Sequence, residues 1–358
     1  MRWFSQGLRW STLLIICLVA VLLFAQPAFA QASSVAEPDQ SAAISKIVEI
    51  SKQSQPPKLR GQHPKGHGTV WAEFTVAPDL SQNLRVGVFQ EPGKTYPAWI
   101  RFSNARDTDD TKPGLQGMAI KLMDVAGDKV LESEKTAQTQ DFVMVNHPVF
   151  FIRNASDFAE FFTALATGKQ SEFFKTHQQE AKITQSLQTK QTQNPLAAQY
   201  WSTTPYQFGE TAIKFAVRPT SQIGDEMGNT PDYLRAAMAN SLMAQDATFD
   251  FLIQQQNDAA KTPIEDPTVE WHESDAPLQK VATIRIPRQI FDTPEQNAFG
   301  EALSFTPWHS LPEHQPLGSI NRARKAIYQA TSEQRHREME IAVAEPTPDT
   351  FTPRLLNP

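Results

Sequence analysis

The sequence predicts an α+β fold: an antiparallel sheet or barrel with helices clustered around it in one domain. The first observation is strict alternation. From residue 69 to 76 apolar and polar residues take turns, which puts Val70, Ala72, Phe74 and Val76 on one face of a strand. The second is cadence. Short β-type runs at 84–89, 98–103, 117–124, 141–146, 211–219, 248–254 and 281–287 are separated by turn-rich stretches such as EPGKTYP and NARDTDDTKPG. The third is a set of helical blocks at 157–167, 170–191, 231–244, 293–303 and 317–337. The segment at 194–209, NPLAAQYWSTTPYQFG, reads as a loop with aromatic anchors, and 263–277 is broken by prolines.

The 358 residues are 40% hydrophobic and include 22 Phe, enough for a sizeable core. The net charge of −6 leaves no electrostatic footprint for nucleic acid. Arg2 and Arg9, the apolar run 12–25 and Ala28-Phe29-Ala30 make residues 1–30 a secretory signal cleaved after Ala30. A run of about 14 residues is short of the ~20 of a membrane span, so association with a membrane is expected only through an uncleaved signal. The expected address is the periplasm or an equivalent exported space. Cys17, the single cysteine, leaves with the signal, which removes disulfides, thiol nucleophiles and cysteine metal sites from the mature chain. Residues 31–57, rich in Ala, Ser, Gln and Pro, read as a flexible arm with one amphipathic stretch at 44–50. Residues 58–340 form the expected domain and 341–358 a Pro- and Thr-rich tail.

Within that domain, RGQHPKGHG carries too many glycines and prolines for a helix and reads as an irregular loop. His63 in it is either aimed at a ligand or a surface histidine. Arg101 in WIRFSN sits on an apolar strand, and a buried guanidinium there needs an anion. In the block at 317–337, Ser319 is placed to cap the helix. Arg322, Arg324 and Lys325 crowd its first turns, where the helix dipole favours acids. Arg324 and Tyr328 are four residues apart and share a face. A cation beside a phenol favours the phenolate, lowering a pKa that starts near ~10, and a tyrosinate can ligate haem iron. The competing reading is a solvated basic helix with one half-buried tyrosine. The chain shows no P-loop, GxGxxG, HExxH or CxxC motif.

Four stretches taken together resemble the haem catalase family: RGQHPKGHG, WIRFSN, DFVMVNHPVFFIRN, and RARKAIY followed by QRHR. Their order and rough distances agree over residues 58–337. The resemblance implies an antiparallel eight-stranded β-barrel with surrounding helices and a C-terminal proximal haem helix. It implies haem b (iron) as cofactor, Tyr328 as the iron ligand, and Arg324 as its counter-charge. His63 becomes the distal acid–base group with Ser103 bonded to its ring. Arg60 and Arg101 become propionate partners, and Phe150 and Phe158 pack on the distal side.

Asn146 is taken as the third catalytic residue. A gap-free count back from PVFF instead puts the family's distal asparagine at Val145. One residue on a strand reverses the face, so Asn146 can serve only through a bulge or shift. QRHR lies two residues further from the tyrosine than in the family, so Arg337 is given no propionate role. The chain is also shorter than typical members and ends soon after the proximal helix.

The implied enzyme is a minimal exported catalase-related peroxidase. It would reduce organic hydroperoxides or hydrogen peroxide with an unidentified electron donor, peroxidase activity exceeding catalase activity. Two alternatives stand beside it: a fatty-acid hydroperoxide rearranging enzyme of the allene-oxide-synthase type, and a non-catalytic exported barrel carrying haem or lipid.

Overall fold

The computed structural model describes residues 41–224 and 228–356. The expected signal at 1–30 lies outside the described residues. In chain order, α1 (Ser41–Ser54) precedes four strands, β1 (Lys65–Val76), β2 (Thr95–Asn104), β3 (Gln116–Met123) and β4 (Thr139–Val145). Three helices follow, α2 (Ala155–Ala166), α3 (Gln170–Thr176) and α4 (Gln178–Gln188). Then come β5 (Tyr200–Trp201), β6 (Tyr206–Phe208), β7 (Thr211–Pro219), α5 (Tyr233–Ala244), β8 (Ala247–Gln255) and β9 (Gln279–Ile286). The chain finishes with β10 (Gln289–Ile290), α6 (Pro294–Ala302), α7 (Ser319–Met339) and β11 (Arg354–Leu355).

The strands close into an antiparallel eight-stranded barrel. Neighbours run β4, β3, β2, β1, β9, β8, β7, and β5 completes the ring by pairing with both β7 and β4. An eight-stranded barrel is just wide enough for side chains to fill. Val70, Ala72, Phe74 and Val76 from β1 fill it with Ile100, Phe102, Ile120, Phe142, Phe215 and Phe251, each at most 4% exposed. Residues of opposite parity leave the barrel outward, and several are buried there as well. Arg101, Ser103, Lys121 and Asp141 are each at most 4% exposed, because helices and loops cover that wall.

A second apolar cluster lies among the helices. Ile47 of α1 is fully buried with Phe158, Phe161 and Phe162 of α2 and Ile320, Ala323 and Ile327 of α7. Here the structure differs from the expected arm. The amphipathic stretch at 44–50 is part of a 14-residue helix whose apolar side is buried in this cluster, so its order comes from a partner distant in sequence.

Other elements also depart from expectation. The run at 84–89 lies in two 3₁₀ turns, Gln82–Leu84 and Gly87–Phe89, rather than a strand, with Gly87 at φ 53° opening the second. The block at 170–191 breaks into α3 and α4 at His177. β5 and β6 lie in the stretch expected to be loop. β1 begins at Lys65, inside the expected irregular loop, and takes up the extra residue as a bulge between Gly66 and Gly68. Gly318, not Ser319, precedes the first turn of α7. The Ser319 N–H is met instead by the Glu265 carboxylate at 2.8 Å. Thr293 caps α6, accepting from the Gln296 N–H. The tail is fastened to the barrel wall: Glu345 accepts from Lys121 Nζ and Thr139 Oγ1, each at 2.6 Å. No helix among the described residues is long and apolar enough to cross a membrane.

Candidate active site

His63 lies just before β1 in the left-handed region, φ 57°. A non-glycine residue there is held by its surroundings rather than by preference. Its N–H donates to the Ala105 carbonyl at 3.0 Å, and its own carbonyl accepts from Arg101 Nη2 at 3.2 Å. Its ring Nδ1 is hydrogen-bonded to Ser103 Oγ at 3.0 Å. Gly117 makes room for the ring, since a Cβ there would collide with Nδ1 and Cε1 of His63. Burial, then the charges of Arg101, Arg324 and Arg60, push the His63 imidazolium pKa from 6.5 down to about 3. The imidazole is therefore neutral at any ordinary working pH.

Strand register decides what stands beside it. Gly117 pairs with Ser103 on one side and Val145 on the other. Residues in one cross-strand row share a face, so Ser103, Gly117 and Val145 present one outward surface with the His63 ring against it. Asn146 is not brought there. Its Oδ1 accepts from the Gln116 N–H at 2.8 Å, and its Nδ2 donates to Thr192 Oγ1 at 3.1 Å. It belongs to a buried polar layer in which Gln116 Oε1 also bonds His67 Nε2 at 2.8 Å and Asn104 donates to Asp110 at 2.7 Å. Asn146, expected as a catalytic residue, is thus not on the face that the His63 ring covers: no bulge turns it, and period two sends it to the other side.

The helix α7 supplies the facing surface. Arg324, Tyr328, Thr331 and Arg335 follow i, i+4, i+7, i+11 spacing and form one stripe. Arg324 is 8% exposed and donates to Thr204 Oγ1 at 3.0 Å, Asn321 Oδ1 at 2.9 Å and the Tyr328 phenol oxygen at 3.2 Å. Burial opposes its charge, but the phenol oxygens of Tyr328 and Tyr206 outweigh burial and hold the guanidinium charged. The segment before His63 runs along the same helix. Gln55 Nε2 donates to the Thr331 carbonyl at 3.1 Å, and the Lys58 N–H donates to Glu338 at 2.8 Å. The structure therefore brings His63, Ser103, Arg101, Arg324 and Tyr328 into one neighbourhood. Phe150 and Phe158 meet edge to face at 5.5 Å in the helical cluster that also takes in Ile327 of α7.

Arg60 and Arg101 do find an anion, and it belongs to the chain. Arg60 donates to Glu301 Oε2 and to the Leu303 carbonyl at 2.7 Å, while Arg101 donates to Glu301 Oε1 at 3.1 Å. Arg335, 2% exposed, joins them by donating to the carbonyls of Glu301 and Leu303. Cations at the C-terminal end of α6 suit its dipole. Burial alone would raise the Glu301 pKa, but Arg60 and Arg101 bring it down to about 2. Sequence reading missed both Glu301 and Arg335. The i+7 spacing from Tyr328 marks Arg335, whereas Arg337 is exposed. No local signal marks Glu301.

A phenol oxygen beside a fixed cation, a neutral histidine in the same neighbourhood and a surplus of guanidinium charge fit a haem with its two carboxylates. Arg101 Nε, buried and without a partner among the described residues, leaves one donor for such an anion.

The sequence profile described as Catalase matches residues 40–194. A catalase of the Onchocerca volvulus endobacterium is 31% identical over 121 residues, 33% of this chain and 22% of that protein. Catalase A of Pseudomonas putida is 30% identical over the same length, again 33% and 22%. The chain thus spans about a fifth of the length of these relatives. Among solved structures, a fungal catalase aligns with a TM-score of 0.63 at 19% identity, covering 79% of this chain and 60% of that one. Catalase A of Saccharomyces cerevisiae aligns with 0.64 at 18% identity, covering 81% and 64%, and at such identities the likeness speaks for the fold. The ordered motifs, the closed barrel and these relatives agree: the chain is similar to haem catalases, in sequence profile over residues 40–194 and in fold over about four fifths of its length.

Proposed function

We propose that this protein is a peroxide-dependent haem oxidoreductase in which peroxidation outruns release of oxygen from hydrogen peroxide. The reading rests on the pairing of Tyr328 with a buried Arg324 3.2 Å from its oxygen, on the helix that the His63 loop packs against. Tyr328 is the residue that would ligate the iron. Arg324 is placed to stabilise an oxygen carrying negative charge. The haem iron, when bound, supplies the redox chemistry with peroxide.

His63 supplies the proton handling. With Nδ1–H donating to Ser103 Oγ, the unprotonated Nε2 can take a proton from one peroxide oxygen and return it to the departing one. Arg101, bonded to the His63 carbonyl, holds the loop in its left-handed turn. A single base suffices for a first peroxide. A second hydrogen peroxide must be held while it gives up two hydrogens, and Val145 offers no hydrogen bond for that task. Organic hydroperoxides and an external electron donor are therefore the favoured substrates. Export through the signal at 1–30 belongs to the same proposal, and N-terminal sequencing of the secreted protein tests it.

Tyr328→Phe tests the haem assignment. The variant should fold and lose its Soret band on gel filtration while the wild type keeps it. A retained band with an unchanged spectrum would overturn the ligand assignment.

A further inference from the structure

Three guanidiniums, those of Arg60, Arg101 and Arg335, converge on the C-terminal end of α6, and among the described residues a single carboxylate, that of Glu301, stands with them. Glu301 accepts from Arg60 through Oε2 and from Arg101 through Oε1, and its backbone carbonyl takes Arg335. Its side chain is 34% exposed, against 4% for Arg101, so it lies at the open edge of the cluster. Three cations less one anion leave two positive charges, opposite in sign and equal in number to the carboxylates of haem b.

We propose that Glu301 is a positioning residue that fixes the charge of this cluster at two. In doing so it tunes both the hold on a dicarboxylate and the ferric–ferrous balance of a bound haem. The redox half rests on the haem reading above, whereas the charge count is a property of the chain alone. Burial and mutual repulsion lower the pKa of Arg60 and bring that of Arg335 to about 10, as expected of cations crowded beyond their counter-charge. Glu301 also bears on His63 through Arg101, whose Nη2 bonds both the carboxylate and the His63 carbonyl.

Two isosteric steps separate charge from shape. Glu301→Gln keeps the side chain and removes the charge, leaving three uncompensated cations. Glu301→Asp keeps the charge and shortens the side chain. In the haem-reconstituted protein, Glu301→Gln should shift the ferric–ferrous equilibrium about tenfold toward ferrous, about 59 mV for one electron, with Glu301→Asp close to wild type. In the haem-free chain, succinate should bind about tenfold more tightly to Glu301→Gln than to wild type, an advantage that salt removes. If the single variant does not fold, Arg60→Gln/Glu301→Gln returns the count to two and should restore the wild-type potential.

A Soret band with equal potentials in wild type and Glu301→Gln overturns the proposal and leaves the haem reading standing. Absence of a Soret band with the succinate difference present supports the charge assignment and overturns the haem reading. Equal shifts for Gln and Asp, the mark of a merely structural role, also overturn it.

Discussion

Ser103 and Val145 flank Gly117 in one cross-strand row and leave the barrel on the same face, with the His63 ring bonded to the first of them at 3.0 Å. The position beside His63 that could hold a second hydrogen-bonding side chain is therefore valine.

Val145→Asn should raise oxygen release from hydrogen peroxide by about one to two decades, the worth of a positioning hydrogen bond of roughly 1–3 kcal/mol. Oxygen-electrode rates compared with oxidation of a small aromatic donor would show it. Wild-type oxygen release already exceeding donor oxidation would refute the role given to Val145.

Gly117→Ala acts on the histidine itself. The new Cβ would lie 2.9 Å from Ser103 Oγ and collide with the imidazole, so His63 must leave its hydrogen bond. Displacing a base by about 1 Å is worth roughly 100-fold. Reaction with peroxide should slow to that extent while haem retention, which depends on α7, persists. Unchanged stopped-flow rates would show that the ring has another productive position.

The acid limb of stability should come from buried histidines. The folded-state pKa values of His63 and His314 are pushed down to about 3 and about 4, chiefly by burial. Both are depressed below the unfolded value of about 6.5. The unfolded chain therefore binds more protons below that pH, and stability, full above pH 6.5, declines as pH falls toward 4. His314, 3% exposed, contributes about 3 kcal/mol. Thermal midpoints should drop across this window, and loss of activity should follow unfolding rather than a titration near 6.5. A flat midpoint between pH 6.5 and 4 would contradict the burial of the His314 ring.

Ile47→Ala should destabilise the protein by about 2–5 kcal/mol, because a fully buried side chain in the α1–α2–α7 cluster is cut back. Urea midpoints measure this. A change within error would return residues 41–54 to the status of a loose arm.

Much of the barrel was legible because alternation is a local signal, and Val70 to Val76 face inward as their spacing requires. The pairing of Arg324 with Tyr328 was legible for a similar reason, since i, i+4 contacts are written within one helix. What escaped depends on partners distant in sequence. α1 needed α2 and α7 to bury Ile47. β5 is two residues in an aromatic loop, too short for any period. Glu301 meets Arg60 and Arg101 across 241 and 200 positions. The question of Val145 against Asn146 hinged on pairing with Gly117, which the sequence of β4 alone does not encode.

The shortness of β5 has a mechanical consequence. It joins β4 through the pair Val145–Trp201 and β7 through Tyr200–Val217 and Trp201–Ala216. A closed ring of strands fails first at its weakest seam, and this seam adjoins the row beneath His63. Native-state hydrogen exchange should find the amides around β5 released by partial opening, ahead of the long β1–β2 ladder that waits for global unfolding. The row beneath His63 thereby lies at the most compliant part of the cylinder, where strands can part locally without disturbing the Phe-packed interior.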